Sequence, residues 1–299
     1  FYVTVRDATP HDAAGIPWAT DGGTQPAPAW LPGVYSSKLT MGSVDVDLTS
    51  FEPGHVEFRF RAGTREPVAS TAPGLKTSLD DASEHRVVAA IGLGHTTDST
   101  RYGFAFGAAP TIPLRQGYAT LVLSPNATAR IEAPGVTLTL GAEDEAVQLP
   151  LLVEDGKLEP RARERGDMRR RAALCITPTE RLIVASAMHD TSDTLAAALM
   201  KIGCTRVVEL DRGSHHPAFL NRAGSATPPL ASYETSVLYA LGRPMQPRAF
   251  RWKPSNAIPS TKATSYDYPA PDVSKPHKKR HKREGGSEDV EPQEPPPGH

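Results

Sequence analysis

The sequence predicts a mixed α/β domain that is rich in β-strands, and three observations lead to this prediction. Short stretches that alternate apolar with polar residues, or stay apolar throughout, recur between residues 51 and 252. Turn-forming residues separate these stretches. One segment in the second half has apolar residues at helical spacing between two predicted strands, an order typical of a strand–helix–strand unit.

The first half of this region reads as a series of strands. "HVEFRFR" (55–61) alternates, which is typical of a half-buried strand, and "RVVAAIGLG" (86–94) stays apolar, which is typical of a strand buried on both faces. Turns such as "SPNAT" and "EDG" fall between or after the later strands. These later strands are "YATLVL", "ARIE", "VTLTL" and "VQLPLLV".

The second half contains the predicted helix. "TSDTLAAALMKIG" (191–203) has Leu195, Leu199 and Ile202 at helical spacing, a Thr or Ser to cap its start and Gly203 to end it. Because one helix joins the strands 182–188 and 205–210, we expect these two strands to be parallel neighbours. Their carboxyl ends would then open on the same edge of the sheet.

Both ends of the chain are predicted to lack stable structure. Proline crowds the first 35 positions and the last 50, and polar chain of this kind buries too little apolar surface to offset its ordering entropy. We therefore predict an irregular lead-in (1–50), one folded domain (51–252) and a disordered charged tail (253–299). The chain starts at Phe1, and we expect it to be a fragment or a processed product.

Charge and hydropathy exclude some classes of partner. The formal net charge is −1, so the whole chain does not predict a nucleic-acid-binding protein, although its tail contains a short basic block. No apolar run is long enough for a transmembrane helix, so no membrane partner is predicted. Cys175 and Cys204 sit among apolar neighbours, and we expect both to be buried free thiols.

A polar turn after the strand "TRVVEL" is the first candidate site. Asp211 follows the strand directly, where α/β sheets bind ligands, and Gly213 lets the backbone approach a ligand closely. Arg212, His215 and His216 add hydrogen-bond donors and rings that titrate near neutral pH. An exposed turn without a function is the alternative interpretation.

Asp190 offers a second carboxylate at the end of the preceding strand. With His189 and the residues of the polar turn it could form a metal cluster, but no standard ligand spacing occurs, and we predict no metal and no cofactor. The triplet Arg169–Arg171 enters the strand "AALCIT", where one arginine could meet an anionic group such as a phosphate. A solvated turn is again the alternative.

The segment "RRAALCITPTERLIVASAMHDTSDTLAAALMKIGCTRVVELDRGSHHPAFLNRAG" resembles the C-terminal half of the phosphodiester glycosidase family. Members of that family carry an Arg-Thr-Ala-Ile-Gly strand, then a strand ending near Asp-Gly-Arg, a helix rich in Leu and Ala, and a Leu-Asp-Gly-Gly-Gly-Ser-Ser turn. "RVVAAIGLGHTTDSTRYGFAF" similarly resembles the family's Ala-Ile-Asn-Gly-Gly-Phe-Phe segment. The resemblance extends over residues 50–245.

The resemblance implies roles for individual residues. Arg171 matches the family's Arg before Thr-Ala, Asp190 the Asp of Asp-Gly-Arg, and Asp211 and Gly213 an Asp and a Gly of the glycine-rich turn. Gly94 matches the second Gly of Asn-Gly-Gly. Asp211 and Asp190 are therefore expected to be catalytic.

The sequence also departs from the family pattern. The Asn and first Gly of Asn-Gly-Gly are Gly92 and Leu93 here, and Arg212 replaces the first Gly after Asp211. The family's Ser-Ser pair is replaced by two histidines, of which His215 is a candidate ligand-binding residue beside Arg171, Gly213 and Gly94. An arginine in a turn whose glycines let backbone amides reach a phosphate could block that approach. A weakened or inactive site is therefore one expectation.

The function predicted from these residues is hydrolysis of a glycosidic bond next to a phosphodiester or similar anionic group. The partner would be a small-molecule or glycan substrate. One alternative is a non-catalytic module that binds a carbohydrate or a polyanion, and another is a structural domain whose functional part precedes Phe1. No compartment is predicted, and export stays an open alternative.

Overall fold

The structure is a computed structural model that describes residues 33–66, 74–94, 102–125, 129–210, 219–223 and 225–243, with the backbone of 19–20. All of these residues belong to one compact unit, Phe1–Tyr268. Their strands form three sheets, and every strand pair among them is antiparallel. None of their helices is long and apolar enough to cross a membrane.

The largest sheet has eight strands in the order β1-β2-β3-β14-β13-β15-β11-β12. Their bounds are β1 Ala19–Thr20, β2 Val34–Met41, β3 Val44–Phe51, β11 Leu151–Glu154, β12 Lys157–Leu158, β13 Arg169–Ile176, β14 Leu182–His189 and β15 Val207–Glu209. Strand β13 lies near the centre of this sheet, paired with β14 on one side and β15 on the other.

Two smaller sheets cover one face of the large sheet. A four-stranded sheet has the order β16-β5-β17-β4, and a five-stranded sheet has the order β7-β6-β10-β8-β9. The bounds are β4 Val56–Arg61, β5 Val87–Gly92, β6 Phe104–Phe106, β7 Pro110–Ile112, β8 Ala119–Leu123, β9 Arg130–Glu132, β10 Glu145–Leu149, β16 Leu220–Arg222 and β17 Val237–Gly242. Side chains of all three sheets share one apolar core, among them Leu174, Leu238 and Leu149.

Short helices complete the described part of the chain. Helix α1 spans Asp81–Glu84, a 3-10 helix spans Pro160–Arg163, and α2 spans Asp193–Lys201. Leu195 and Leu199 of α2 pack on the other face of the large sheet, against residues such as Ala173. The helix ends at Lys201, and Gly203, two residues later, has the left-handed φ of +100° that favours glycine. The structure thus confirms the helix predicted within 191–203.

The β-rich part of the predicted fold class is confirmed. The mixed α/β part is not clearly supported, because most regular structure is antiparallel strand and α2 has nine residues. The sequence could not indicate antiparallel pairing, because apolar runs of this length occur in buried strands of both parallel and antiparallel sheets. The limits 51–252 and the tail 253–299 stay predictions, because the residues after 243 lie outside the described part.

The lead-in predicted as irregular contains a β-hairpin, so the prediction for residues 34–50 is wrong. Strands β2 and β3 pair along their whole length, and Gly42 turns between them with a φ of +62°. Val46 and Leu48 are buried under α2. The period-two pattern of "SVDVDLTS" was the signal for this strand.

The strands on either side of α2 were predicted to be neighbours, and this prediction is wrong. Strand β13 lies between β14 and β15 and is antiparallel to both. Strands β14 and β15 therefore run in the same direction, as predicted, but one strand apart. Their carboxyl ends still open on one edge of the sheet, because β13 only widens the gap between them.

The prediction of two free thiols is wrong. Cys175 of β13 and Cys204, just after α2, form a disulfide with their Cα atoms 6.1 Å apart. Both sulfurs are buried beside residues of α2. Apolar neighbours indicate burial equally well for a thiol and for a disulfide, so the sequence pattern could not distinguish the two states. The disulfide links the segment directly after α2 to strand β13.

Removing the disulfide should destabilise the domain. A cross-link between residues 29 apart in sequence restricts the unfolded chain, and its loss should lower the free energy of unfolding by about 3 kcal/mol. Urea unfolding of C175A, C204A and the double variant should show about the same loss in all three. Incorporation of two alkyl groups by the unreduced, denatured wild-type protein would contradict the assignment.

Candidate functional site

A cleft of about 640 Å³ lies between the large sheet and the edge strand β16. This volume is within the range typical of small-molecule sites. The described lining residues come from β2, β3, β13 and β14 on one side and from β16 with the residue before it on the other. They are Ser36, Ser37, Lys38, Asp47, Leu48, Thr49, Arg170, Ala172, Val184, Ser186, Phe219, Leu220, Asn221 and Arg222.

The polar wall of the cleft follows from the pairing of the strands. Lys38 is opposite Asp47, Asp47 is opposite Ser186, and Ser186 is opposite Ala172, so these side chains form one row across four strands. Side chains directly opposite each other share a face of the sheet. Arg170, two residues before Ala172, falls on the same face. Strand pairing thus brings together residues that are more than 130 positions apart.

The cleft has a net positive lining. Among its described lining residues, Lys38, Arg170 and Arg222 are cationic, and Asp47 is the one carboxylate. Arg170 Nη1 donates to Ser186 Oγ at 3.1 Å and lies 3.6 Å from Asp47 Oδ2, while Lys38 Nζ lies 3.8 Å from Asp47 Oδ1. Two more positive charges than negative ones favour an anionic ligand here.

The opposite wall depends on Gly92. The backbone N–H of Gly92 donates to Phe219 O at 2.8 Å, and a Cβ atom at position 92 would lie 2.4 Å from the Phe219 ring. A larger residue would therefore push Phe219, a lining residue of the cleft, out of place. Gly92 thus has a steric reason in this chain.

Asp190 lies directly after β14, at the edge of the large sheet where that strand ends. It does not line the cleft. Its Oδ1 is 3.1 Å from His189 Nδ1, and its Oδ2 is 3.7 Å from Arg165 Nε. The Thr191 N–H also donates to His189 Nδ1, at 3.1 Å. Asp190 is about one-third exposed, so solvent can reach this carboxylate.

Arg171 faces away from the cleft. Its side chain is 5% exposed and lies on the α2 face of β13. Its Nη2 donates to Asp190 O at 2.7 Å and its Nε to His189 O at 3.1 Å, which ties the end of β14 to β13. The structure therefore brings Arg171 and Asp190 together, through the Asp190 backbone. The arginine that lines the cleft is its neighbour, Arg170.

A buried glutamate next to Arg171 was missed by the sequence analysis. Glu209 of β15 is 4% exposed, and its Oε1 accepts from Ser192 Oγ at 2.8 Å and lies 3.7 Å from Arg171 Nη1. Its Oε2 accepts from Arg161 Nε at 3.0 Å. One charged residue inside the run "RVVEL" was the available signal, because a carboxylate in a buried strand needs a cationic partner.

The charge of Glu209 also acts on Arg161. Burial acts to lower the pKa of the Arg161 guanidinium, but the nearby groups, led by the Glu209 carboxylate, raise it more, so the net pKa shift is upward. Arg161 therefore stays a cation beside this carboxylate. The cluster of Arg161, Arg171, Ser192 and Glu209 joins the 3-10 helix, β13, the start of α2 and β15.

The remaining predicted site residues divide into two groups. Gly94 is buried after β5 and has a φ of +69°, a conformation that favours glycine. Asp211, Gly213 and His215 lie outside the described residues, so their roles stay predictions. In the described part, no group of three or more His, Cys, Asp or Glu residues could hold a metal ion.

Comparisons with known proteins give distant structural similarities. No family model and no curated protein match the chain. A zebrafish N-acetylglucosamine-1-phosphodiester alpha-N-acetylglucosaminidase catalytic domain, auto-inhibited by its pro-peptide, is 12% identical with a TM-score of 0.45, over 76% of this chain and 87% of that one. A hypothetical protein from Synechocystis is 11% identical with a TM-score of 0.40, over 71% and 62% of the two chains.

A third similar structure is a putative exported protein from Burkholderia pseudomallei. It is 10% identical with a TM-score of 0.32, over 68% of this chain and 75% of that one. All three TM-scores are below 0.5, so these similarities do not establish a function for this chain. The family suggested by the sequence stays a prediction.

The Glu209 cluster should be important for stability. Glu209→Gln keeps the side chain's shape but removes the charge that compensates Arg171, so we expect the free energy of unfolding to fall by about 3 kcal/mol. Glu132→Gln is the matched control, because the Arg130–Glu132 pair is far more exposed and should contribute less than about 1 kcal/mol. Urea unfolding of both variants measures the difference. Equal losses would contradict a special role for the buried pair.

Proposed function

We propose that this chain binds an anionic sugar in the cleft and hydrolyses the glycosidic bond beside the anionic group. The proposal rests on the composition of the cleft wall. Its described lining residues include three cationic side chains, one carboxylate, and several hydroxyl and amide groups. Cations suit a phosphodiester or a similar anion, and hydroxyl and amide side chains suit the hydroxyl groups of a sugar.

Arg170 is the residue that we assign to the anion. Its guanidinium is about half exposed and lies in the cleft beside the Ser186 hydroxyl. A guanidinium can donate two parallel hydrogen bonds to a phosphate, which a lysine cannot do. Lys38 and Arg222 add positive charge from two other strands of the cleft. This assignment moves the anion contact from Arg171, whose contacts are internal, to its neighbour.

Asp211 is the carboxylate that we assign to proton transfer. The chain passes the cleft wall just before this residue, because Leu210 N donates to the carbonyl oxygen of Ala172, a lining residue, at 2.9 Å. Asp211 is the next residue, one Cα step of about 3.8 Å further. Asp190 ends a strand at the same sheet edge but lies away from the cleft lining, so we place it second.

The chemistry follows from these assignments. The Asp211 carboxylic acid donates its proton to the bridging oxygen as the bond from the sugar carbon to that oxygen breaks. Water forms the new bond to the sugar carbon and gives up one proton to a carboxylate. The products are the free sugar and a phosphate monoester. Arg170 holds the phosphate oxygens through both steps.

Hydrolysis should depend on Asp211. We expect the purified protein to release N-acetylglucosamine from the methyl diester of N-acetylglucosamine 1-phosphate, and Asp211→Asn to lower kcat about 100-fold or more. Asp190→Asn, the matched control, should reduce kcat less. Arg212→Gly should raise the rate if the arginine restricts access to the turn. Unchanged turnover in Asp211→Asn would contradict the assignment of the proton donor.

A binding module without catalysis is the second candidate. The observation in its favour is that Asp47, the one carboxylate among the described lining residues, already faces both Lys38 and Arg170. A carboxylate that already contacts two cations helps to hold them in place for an anionic ligand. Binding of the same diester by the wild-type protein, with no sugar released by the wild-type protein or by Arg212→Gly, would establish this candidate instead.

Anion binding should depend on Arg170 in both cases. Arg170→Gln should weaken the binding of methyl phosphate about tenfold, since it removes one charge-assisted contact. Arg163→Gln, a change at an exposed arginine of the 3-10 helix outside the cleft lining, should leave the affinity unchanged. Calorimetric titration at low salt gives both affinities. Equal affinities for wild-type protein and Arg170→Gln would place the anion site elsewhere.

A further inference from the structure

We propose that the ligand of this cleft carries an alkyl chain next to its anionic group, and that the chain lies over Met188 and Met168. This inference rests on the proposed function in one respect, the binding of an anion at Arg170. It names a substrate class, an anionic amphiphile, that the cleft lining alone does not specify.

The first observation is the position of Met188. It is the direct cross-strand partner of Arg170, and it is two residues after Ser186, a lining residue of the cleft, so both lie on the same face of β14. Ala187, between these two residues, is buried against α2 on the other face of the sheet. Met188 therefore extends the cleft face of β14 beyond the cationic wall, at the rim.

The second observation is the exposure of two methionines beside one cation. Met188 is 52% exposed, and Met168, two residues before Arg170, is 65% exposed. Single exposed apolar residues are common on protein surfaces and need no explanation. Here, two of the four exposed large hydrophobic residues in the described part are close to Arg170, Met188 as its cross-strand partner and Met168 two residues earlier in the chain; the four are Val136, Met168, Met188 and Leu230.

The arginine and the methionines together favour an anionic ligand with an alkyl substituent. An anion held by Arg170 would place its substituent next to Met188, since side chains directly opposite on paired strands are about 5 Å apart. Methionine side chains are unbranched and flexible, so they adapt to a flexible alkyl chain. The described aromatic lining residue of the cleft, Phe219, lies on the opposite wall. An alkyl substituent therefore fits this rim better than an aryl group.

The test compares three phosphate monoesters, none of which contains a glycosidic bond. Calorimetric titrations with methyl, octyl and phenyl phosphate hold the anion constant and vary only the substituent. We expect octyl phosphate, kept below its micellar concentration, to bind about tenfold more tightly than methyl phosphate, because the chain buries apolar surface on the two methionines. Phenyl phosphate should fall between the two.

Variants identify the surface responsible. Met188→Thr and the double variant with Met168→Ser should abolish the preference for octyl phosphate and leave methyl phosphate binding unchanged. Val136→Thr, a control at an exposed apolar residue elsewhere, should keep the preference. Thermal unfolding of each variant checks that the fold is intact, which the exposure of both methionines favours.

The two proposals fail in different ways. If methyl phosphate binds and Arg170→Gln weakens it, but octyl phosphate binds no better, the alkyl inference is wrong and the anion site stands. An octyl preference that survives in the double variant also overturns the inference, and so does tighter binding of phenyl than of octyl phosphate. If methyl phosphate does not bind at all, the anion site itself is wrong.

Discussion

Strand β13 pairs with a strand on each side, and the alternation of its side chains organises both faces of the sheet. Arg170 and Ala172 point to the cleft, whereas Arg171, Ala173 and Cys175 point to α2. Adjacent residues in a strand lie on opposite faces, so a shift of register by one residue would exchange the two sets. The buried pair of Arg171 with Glu209 opposes such a shift, because a guanidinium moved into an apolar core would lose its partner.

Glu209 connects the parts of the chain that surround the sheet edge. Replacing a buried ion pair with apolar residues of similar size is often neutral for stability or even favourable, so stability alone does not explain such a cluster. Its geometry offers a reason. Through its two oxygens Glu209 holds Ser192 at the start of α2 and Arg161 of the 3-10 helix. Both contacts fix the end of β15, from which the chain enters the predicted catalytic turn.

The sequence predicted part of the local structure where a short period was sufficient, although "VTLTL" (136–140), which was also predicted as a strand, forms none. The alternation in "HVEFRFR" and the helical spacing around Leu195 both correspond to elements of the structure. It could not predict the insertion of β13 between β14 and β15, because strand order is a property of long-range pairing. The hairpin of β2 and β3 is a different case, because the period-two pattern of "SVDVDLTS" indicated a strand that the sequence analysis did not assign.

The candidate site was predicted in part, for a related reason. Sequence spacing pointed to one edge of the sheet, and it did not identify the residues of the cleft wall. Lys38, Asp47 and Ser186 are far apart in sequence and meet only through strand pairing. Arg170 and Arg171 are adjacent in sequence, and the family resemblance selected Arg171. Their roles differ because adjacent residues of β13 face opposite sides of the sheet, and because Glu209 lies on the side of Arg171. A sequence motif contains neither piece of information.

The rim and the wall of the cleft impose different requirements on one ligand. Lys38, Arg170 and Arg222 favour a charged group, and the hydroxyl and amide side chains favour a sugar. An alkyl chain would remove apolar surface of the methionines beside Arg170 from water, which a fully polar ligand would not do. A ligand with a sugar, an anion and an alkyl chain in that order would meet each of these surfaces in turn. Because the anion is then the middle group, Arg170 is the contact that sets the position of the other two.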